Sequence, residues 1–178
     1  MGDQESLAGT PALPSFPRIW VGYALAAATI VAEFIALGLH PELGRQGGIP
    51  PLYLFLLSFV GGVYWMVCIY RLHVVMAQIP GWKHPISPGR SVGFHFIPFY
   101  NLYWVFRWPR EIAGFVNSRF ERAVMRPSAV GLAVLAALLL RLVDPGLGLV
   151  LLFLPISYVA ELLHRALLVI PKSQRPRT

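Results

Sequence analysis

The sequence predicts an all-α integral membrane bundle of four transmembrane helices. A cytoplasmic-side aromatic segment, re-entrant or interfacial, and an amphipathic helix lie between helices two and three. Three observations predict this class. Apolar residues make up 56% of the 178 and charged residues only 13%, about half the charged share of soluble domains. Mean hydropathy is +0.61. Four long apolar runs, at about 19–39, 52–77, 128–143 and 147–170, are near the length that crosses a bilayer.

Residues 1–17, MGDQESLAGTPALPSFP, hold Asp3 and Glu5 and no cation. They lack the basic start of a secretory signal and read as a disordered cytoplasmic tail. Gly2 with Ser6 superficially fits a myristoylation pattern, but an acidic tail is a poor partner for an anionic membrane. Cys68 is the only cysteine, so no intrachain disulfide forms.

A single membrane domain occupies 18–171. Trp20 and Tyr23 anchor the first span, where Gly22/Ala26 and Ala24/Ala28 are small-xxx-small pairs that let a helix approach closely. His40-Pro41 stops it, and Gly47, Gly48, Pro50 and Pro51 turn the chain back. The second span carries the pair Ser58/Gly62 and exits past Arg71 and His73; Pro80 ends it. From Phe94 to Arg110 the chain reads FHFIPFYNLYWVFRWPR, eight aromatics with two prolines and an asparagine. Aromatics mixed with cations suit the water–lipid interface. The apolar run 92–106, broken by Pro98, is too short to span, and Pro109 is placed in the first turn of a new helix. An interfacial region over 92–125 follows, with Ile112, Phe115, Val116, Phe120, Ala123 and Val124 on one helical face. The third span has a stripe of Ala129, Ala133 and Ala137. Asp144-Pro145-Gly146 turns into the fourth, which contains Pro155, and residues 172–178 are a basic tail.

Thirteen of the fifteen lysines and arginines fall on one side of this topology; only Arg45 and Arg141 fall on the other. The positive-inside rule then places both termini in the cytoplasm. The net charge of +7 is interleaved with Trp and Phe, which points to anionic headgroups and not to nucleic acid.

Glu33 and Arg141 fall at matching depth, with Asp144 one turn on from Arg141. An ionisable group inside a span is paired or functional, so an intramembrane ion pair among Glu33, Arg141 and Asp144 is expected, either Glu33 with Arg141 or Arg141 with Asp144. Glu161, His164 and Arg165 form a second polar cluster, with Glu161 and Arg165 at i,i+4. One E-x-x-H copy is too few for a carboxylate di-iron site. His73 and His164, each about six residues before the same end of its span, permit b-type haem ligation. His84, His95 and Cys68 lack zinc spacing, and no nucleophile or phosphate-binding motif occurs. No metal site and no resident cofactor are expected. Pro98, Tyr100, Asn101, Tyr103, Trp104, Arg107 and Trp108 are expected to act as the interfacial anchor.

The string Ile97-Pro98-Phe99-Tyr100-Asn101-Leu102-Tyr103-Trp104-Val105-Phe106 resembles a signature of uncharacterised bacterial four-helix membrane proteins, families of unknown function. Tyr70-Arg71, Ser87-Pro88-Gly89, Gly93, Pro109 and Glu111 stand at matching positions. The resemblance covers about residues 65 to 117 and implies a cytoplasmic-membrane protein with no assigned activity.

The leading functional expectation is a non-enzymatic accessory or scaffolding subunit of a larger membrane assembly or homo-oligomer, built through the small-residue stripes. The alternatives are a small oligomeric transporter or channel using Glu33 and Arg141, and a haem carrier through His73 and His164.

Overall fold

In the computed structural model the described residues are 15–41 and 51–169. The tail before residue 15, the 42–50 loop with Arg45, and the basic 172–178 tail lie outside them. Six α-helices and no strand occur among the described residues.

Helix α1, Ile19–Leu39, runs without a breaker until Pro41, which disfavours helical backbone at His40. Gly22, Ala26, Thr29 and Ala36 face inward at helical spacing, and Thr29 satisfies its hydroxyl on Leu25 O at 2.9 Å. Helix α2, Leu52–Ala77, buries Ser58, Gly61, Gly62, Trp65, Cys68, Ile69, Leu72 and His73. Ser87 caps the short helix α3, Pro88–Gly93, with its hydroxyl on Arg90 N, and a 3-10 turn, Phe94–Phe96, follows. Helix α4 is Tyr100–Arg119, α5 is Pro127–Leu140 and α6 is Pro145–Leu168.

Side-chain ties give the registers. Tyr23 meets Ser157 at 2.9 Å and Glu33 meets the Gly146 N–H at 2.8 Å, so α1 and α6 are antiparallel. Tyr64 donates to Arg18 O at 2.7 Å, which sets α2 antiparallel to α1. Arg141 reaches Ser58, and Tyr158 donates to Val124 O at 3.0 Å. One end of the bundle therefore collects Arg18, Arg71, Arg126 and Arg165, and the other Glu33, Arg141 and Asp144.

Three helices are long and apolar enough to cross a membrane: α1, α2 and α6. The expected third span, 128–143, is a shorter apolar helix of 14 residues, because Arg141–Val143 leave it as a turn. The expected start of the last span moves to Pro145, where Asp144 caps the helix by accepting from Leu147 N at 2.8 Å.

The interfacial region also differs from expectation. Pro109 does not open a helix; it lies in the middle of α4, which begins at Tyr100 and ends at Arg119. An interior proline forgoes the hydrogen bond to the carbonyl four residues back and crowds that carbonyl, yet the helix continues through Pro109 and the break falls at Pro98 instead. There Phe99 takes φ 61°, a left-handed conformation that strains a bulky side chain. Phe120, Ala123 and Val124 fall beyond the helix, in the connection to α5. The apolar face of α4, with Trp104, Trp108, Ile112, Phe115 and Val116, is packed inside the protein.

Candidate functional site

Two cavities of the bundle carry candidate chemistry. The first, of about 680 Å³, opens at the Glu33–Asp144 end. α1 contributes Glu33 and Leu37, α2 contributes Leu54, Phe55 and Ser58, and the α5–α6 turn contributes Arg141, Leu142 and Asp144. The three residues of the expected pairings are thus brought to one cavity, with Ser58 as a fourth polar member that the sequence did not single out for this role. A serine one turn before Gly62 was readable only as a packing pair.

Within the cavity Glu33 and Arg141 do not pair with each other. Glu33 Oε1 accepts the Gly146 N–H at 2.8 Å, at the start of α6, where helical amides lack partners. Asp144 lines the same cavity. Arg141 turns across to α2 instead. Its Nε donates to Ser58 Oγ at 3.0 Å and its Nη2 to the Ser58 carbonyl. Gly62 makes this possible: a Cβ there would stand 2.6 Å from Arg141 Nη1.

The second cavity, about 560 Å³, is an apolar groove between α5 and α6. One wall is Ala129, Ala133 and Ala136, the other Leu151, Leu154, Pro155 and Tyr158, with Val130 and Ala137 also lining it. Ala129 and Ala133 are exposed and Ala137 is buried. The α1 pair Gly22/Ala26 is different, because it faces α6 within the same chain, where Gly22 sits on the Phe153 ring. Ala24 and Ala28 face outward.

Comparisons of the chain with protein-family profiles, curated proteins and solved structures give no match.

A histidine–tryptophan layer lies toward the opposite end. His73 is fully buried and its Nδ1 stands 2.7 Å from His84 Nε2. His84 comes from the loop after Pro80, which folds back eleven residues onto the helix end. Burial pushes His84 down to about 4. His95 lies edge-on to Trp65 at 5.1 Å and is also pushed to about 4 by burial. His73 Nε2, His84 Nδ1, both His95 nitrogens and the Trp65, Trp82 and Trp108 N–H groups have no hydrogen-bond partner among the described residues. His164, by contrast, is exposed and edge-on to Phe16 at 5.5 Å. His73 and His164 therefore have different neighbours and share no ring contact. No group of three or more His, Cys, Asp or Glu among the described residues is placed to hold a metal ion.

The remaining expected residues separate into two sets. Trp104 is 1% and Trp108 0% exposed, so they are core side chains, with Trp104 donating to Ser91 O at 2.9 Å. Tyr103 is exposed, as are Phe96 and Phe99, the latter at 88%. Arg107 pairs with Glu111 at 2.6 Å, and Arg165 with Glu161 at 2.7 Å on an exposed face. The backbone N–H of Asn101 donates to Ile97 O at 3.0 Å, closing the turn at Pro98, and Tyr100 packs on Phe94. One polar side chain of α4 ties the following connection. Asn117 accepts from Val124 N and Met125 N at 3.0 and 2.9 Å and donates to Met125 O at 2.9 Å.

Proposed function

We propose that this protein is a non-enzymatic membrane subunit that receives a spanning helix of a partner in the groove between α5 and α6. The observation that carries the reading is the alanine wall of that groove. Lipid chains are as apolar as leucine, so helices associate in a bilayer through close packing of small residues, not through a hydrophobic drive. Ala129, Ala133 and Ala136 offer a surface without side-chain bulk, facing outward beside the Pro155 region. The short α5 adds to the case, since a short span favours association. The α1 pair Gly22/Ala26 does not contribute, because it is buried, with Gly22 against Phe153 of α6.

In this reading the basic end lies in the cytoplasm of a bacterial cell, and its arginines contact anionic headgroups. The resemblance of residues 65–117 to bacterial four-helix membrane proteins supports the same placement. A transport path through the bundle has less support: inward of the Glu33–Arg141 cavity, Leu149, Leu152 and Phe153 are fully buried.

The test fills the groove. Ala129→Leu and Ala133→Leu, with Ala27→Leu at an exposed α1 position outside the small-residue pairs as control, are compared for assembly size in mild detergent. The groove variants are expected to fall to the size of the lone protomer while the control keeps the wild-type size. Unchanged size in both groove variants overturns the reading.

A further inference from the structure

The Glu33–Arg141 cavity holds opposite charges that do not neutralise each other. Glu33 and Asp144 line the same cavity, and two carboxylates brought to one site gain from a nearby cation. Arg141 uses Nε and one Nη2 hydrogen on Ser58, and a guanidinium carries five N–H donors in a planar fork. Three donors remain for an anion. Around these groups the cavity is walled by Leu37, Leu54, Phe55, Leu138 and Leu142, and apolar walls with a few convergent polar groups are the mark of a small-molecule site.

We propose that this cavity binds the head of a zwitterionic amphiphile, a primary ammonium and a phosphate on one short head with an apolar tail. The ammonium donates to the free carboxylate oxygens of Glu33 and Asp144. The phosphate takes the remaining Arg141 donors, a contact that guanidinium geometry favours. The tail runs along the Leu37, Leu54 and Phe55 wall between α1 and α2, which continues into the exposed apolar faces of both helices. The 680 Å³ volume holds the head and the start of the tail. A quaternary ammonium lacks N–H donors and is discriminated against. A headgroup that is only anionic meets two carboxylates and is disfavoured.

The test reconstitutes the full chain in nanodiscs with equal parts phosphatidylethanolamine, phosphatidylcholine and phosphatidylglycerol, then measures lipid retained by native mass spectrometry. Wild type is expected to retain phosphatidylethanolamine at least about tenfold over either competitor, a difference typical of one charge-assisted contact. Glu33→Gln keeps an acceptor for Gly146 N, and Asp144→Asn keeps a helix cap. Both variants are expected to fold and to lose the preference over phosphatidylcholine. Soluble phosphoethanolamine separates the sources. Displacement of lipid at millimolar levels assigns recognition to the head alone, and failure to displace assigns it to the intact lipid; either supports the proposal when the preference is present. Absence of phosphatidylethanolamine preference in wild type, or a preference intact in both folded variants, overturns it. This outcome is independent of the groove, whose variants leave Glu33, Asp144 and Arg141 in place.

Discussion

The contact between Gly22 and Phe153 makes a prediction whose sign reverses with its neighbour. A Cβ on Gly22 would stand 2.3 Å from Phe153 Cε1 and 2.5 Å from Cδ1 and Cζ. Carbon atoms rest at about 3.5–4.0 Å, so α1 and α6 must separate by more than about 1 Å or the ring must move. The ring has nowhere to go. It is fully buried between the Tyr23 and Tyr64 rings, 6.1 and 6.2 Å away, and those hydroxyls are tied to Ser157 and Arg18. Overpacking of this kind costs about 1–3 kcal/mol, and the severity of the clash places it at the upper end. Replacing a helical glycine by alanine returns about 1 kcal/mol. Gly22→Ala is therefore expected to destabilise the chain by about 2 kcal/mol in the wild type. In a Phe153→Leu background the new methyl meets a smaller side chain, and the same change is expected to stabilise by up to about 1 kcal/mol. The coupling, on the order of 3 kcal/mol, is read from a double-mutant cycle in detergent-driven unfolding followed by tryptophan fluorescence. A Gly22→Ala effect of the same size and sign in both backgrounds would refute the packing argument.

Asn117→Ala removes three hydrogen bonds to the α4–α5 connection and is expected to cost about 2–4 kcal/mol in the same unfolding assay. Asn117→Asp keeps the two accepting bonds but sets an oxygen against Met125 O, so a smaller loss is expected; equal stability of both variants to wild type would exclude the clamp. For His84 and His95, folded values of about 4 against 6.5 unfolded mean that the folded state disfavours protonation. The stability held above pH 6.5 is lost as pH falls from there toward 4, by about 2 kcal/mol for the pair at pH 5 after allowance for partial exposure. A flat profile between pH 7 and pH 5, or a slope unchanged in the His84→Gln, His95→Gln variant, would contradict this. Filling the groove by Ala133→Leu leaves protomer stability within about 0.5 kcal/mol, since the side chain is exposed; a larger loss would show that the groove wall is part of the core.

What the sequence made readable was periodicity and charge. The three long helices are legible nearly to the residue, because segments of 21, 26 and 24 residues with high mean hydropathy leave little other structure, and α6 runs on through Pro155. Depth groups Glu33 with Arg141, and sequence distance adds Asp144; all three line one cavity, yet Glu33 and Arg141 take other partners and do not form the expected pair. Their partners were not readable, since Ser58 and Gly146 are fixed by helix rotation, which hydropathy does not encode. The same gap explains Gly22 and Ala133. Both belong to small-residue stripes, yet one faces Phe153 and the other the outside, a distinction made only by the antiparallel register of α1 on α6. Pro109 misled because proline suits both a first turn and a tolerated interior position, and only the strained turn at Phe99 shows where α4 begins.

The burial of Trp104 and Trp108 and the shortness of α5 have one cause. α6 is 24 residues long, but α5 enters beside Tyr158, ten residues before the end of α6 at Leu168. That leaves about 15 Å of α6 uncovered by α5. Helix α4 fills the space: it packs on both α5 and α6, and Phe106 lies against Gly131 near the start of α5. A Cβ at Gly131 would stand 2.4 Å from the Phe106 ring, so α4 and α5 are fitted as a single column. Pro98 and the turn at Phe99 then have a definite task, which is to send the chain back into the bundle directly after the 3-10 turn. An anchor lying flat on the membrane would show its tryptophans to lipid. Here they face the histidine layer and the α6 core, while Phe96, Phe99 and Tyr103 remain outside at the turn. The aromatic string is thus two devices in sequence, an exposed tip followed by a buried strut that packs along the 14-residue α5.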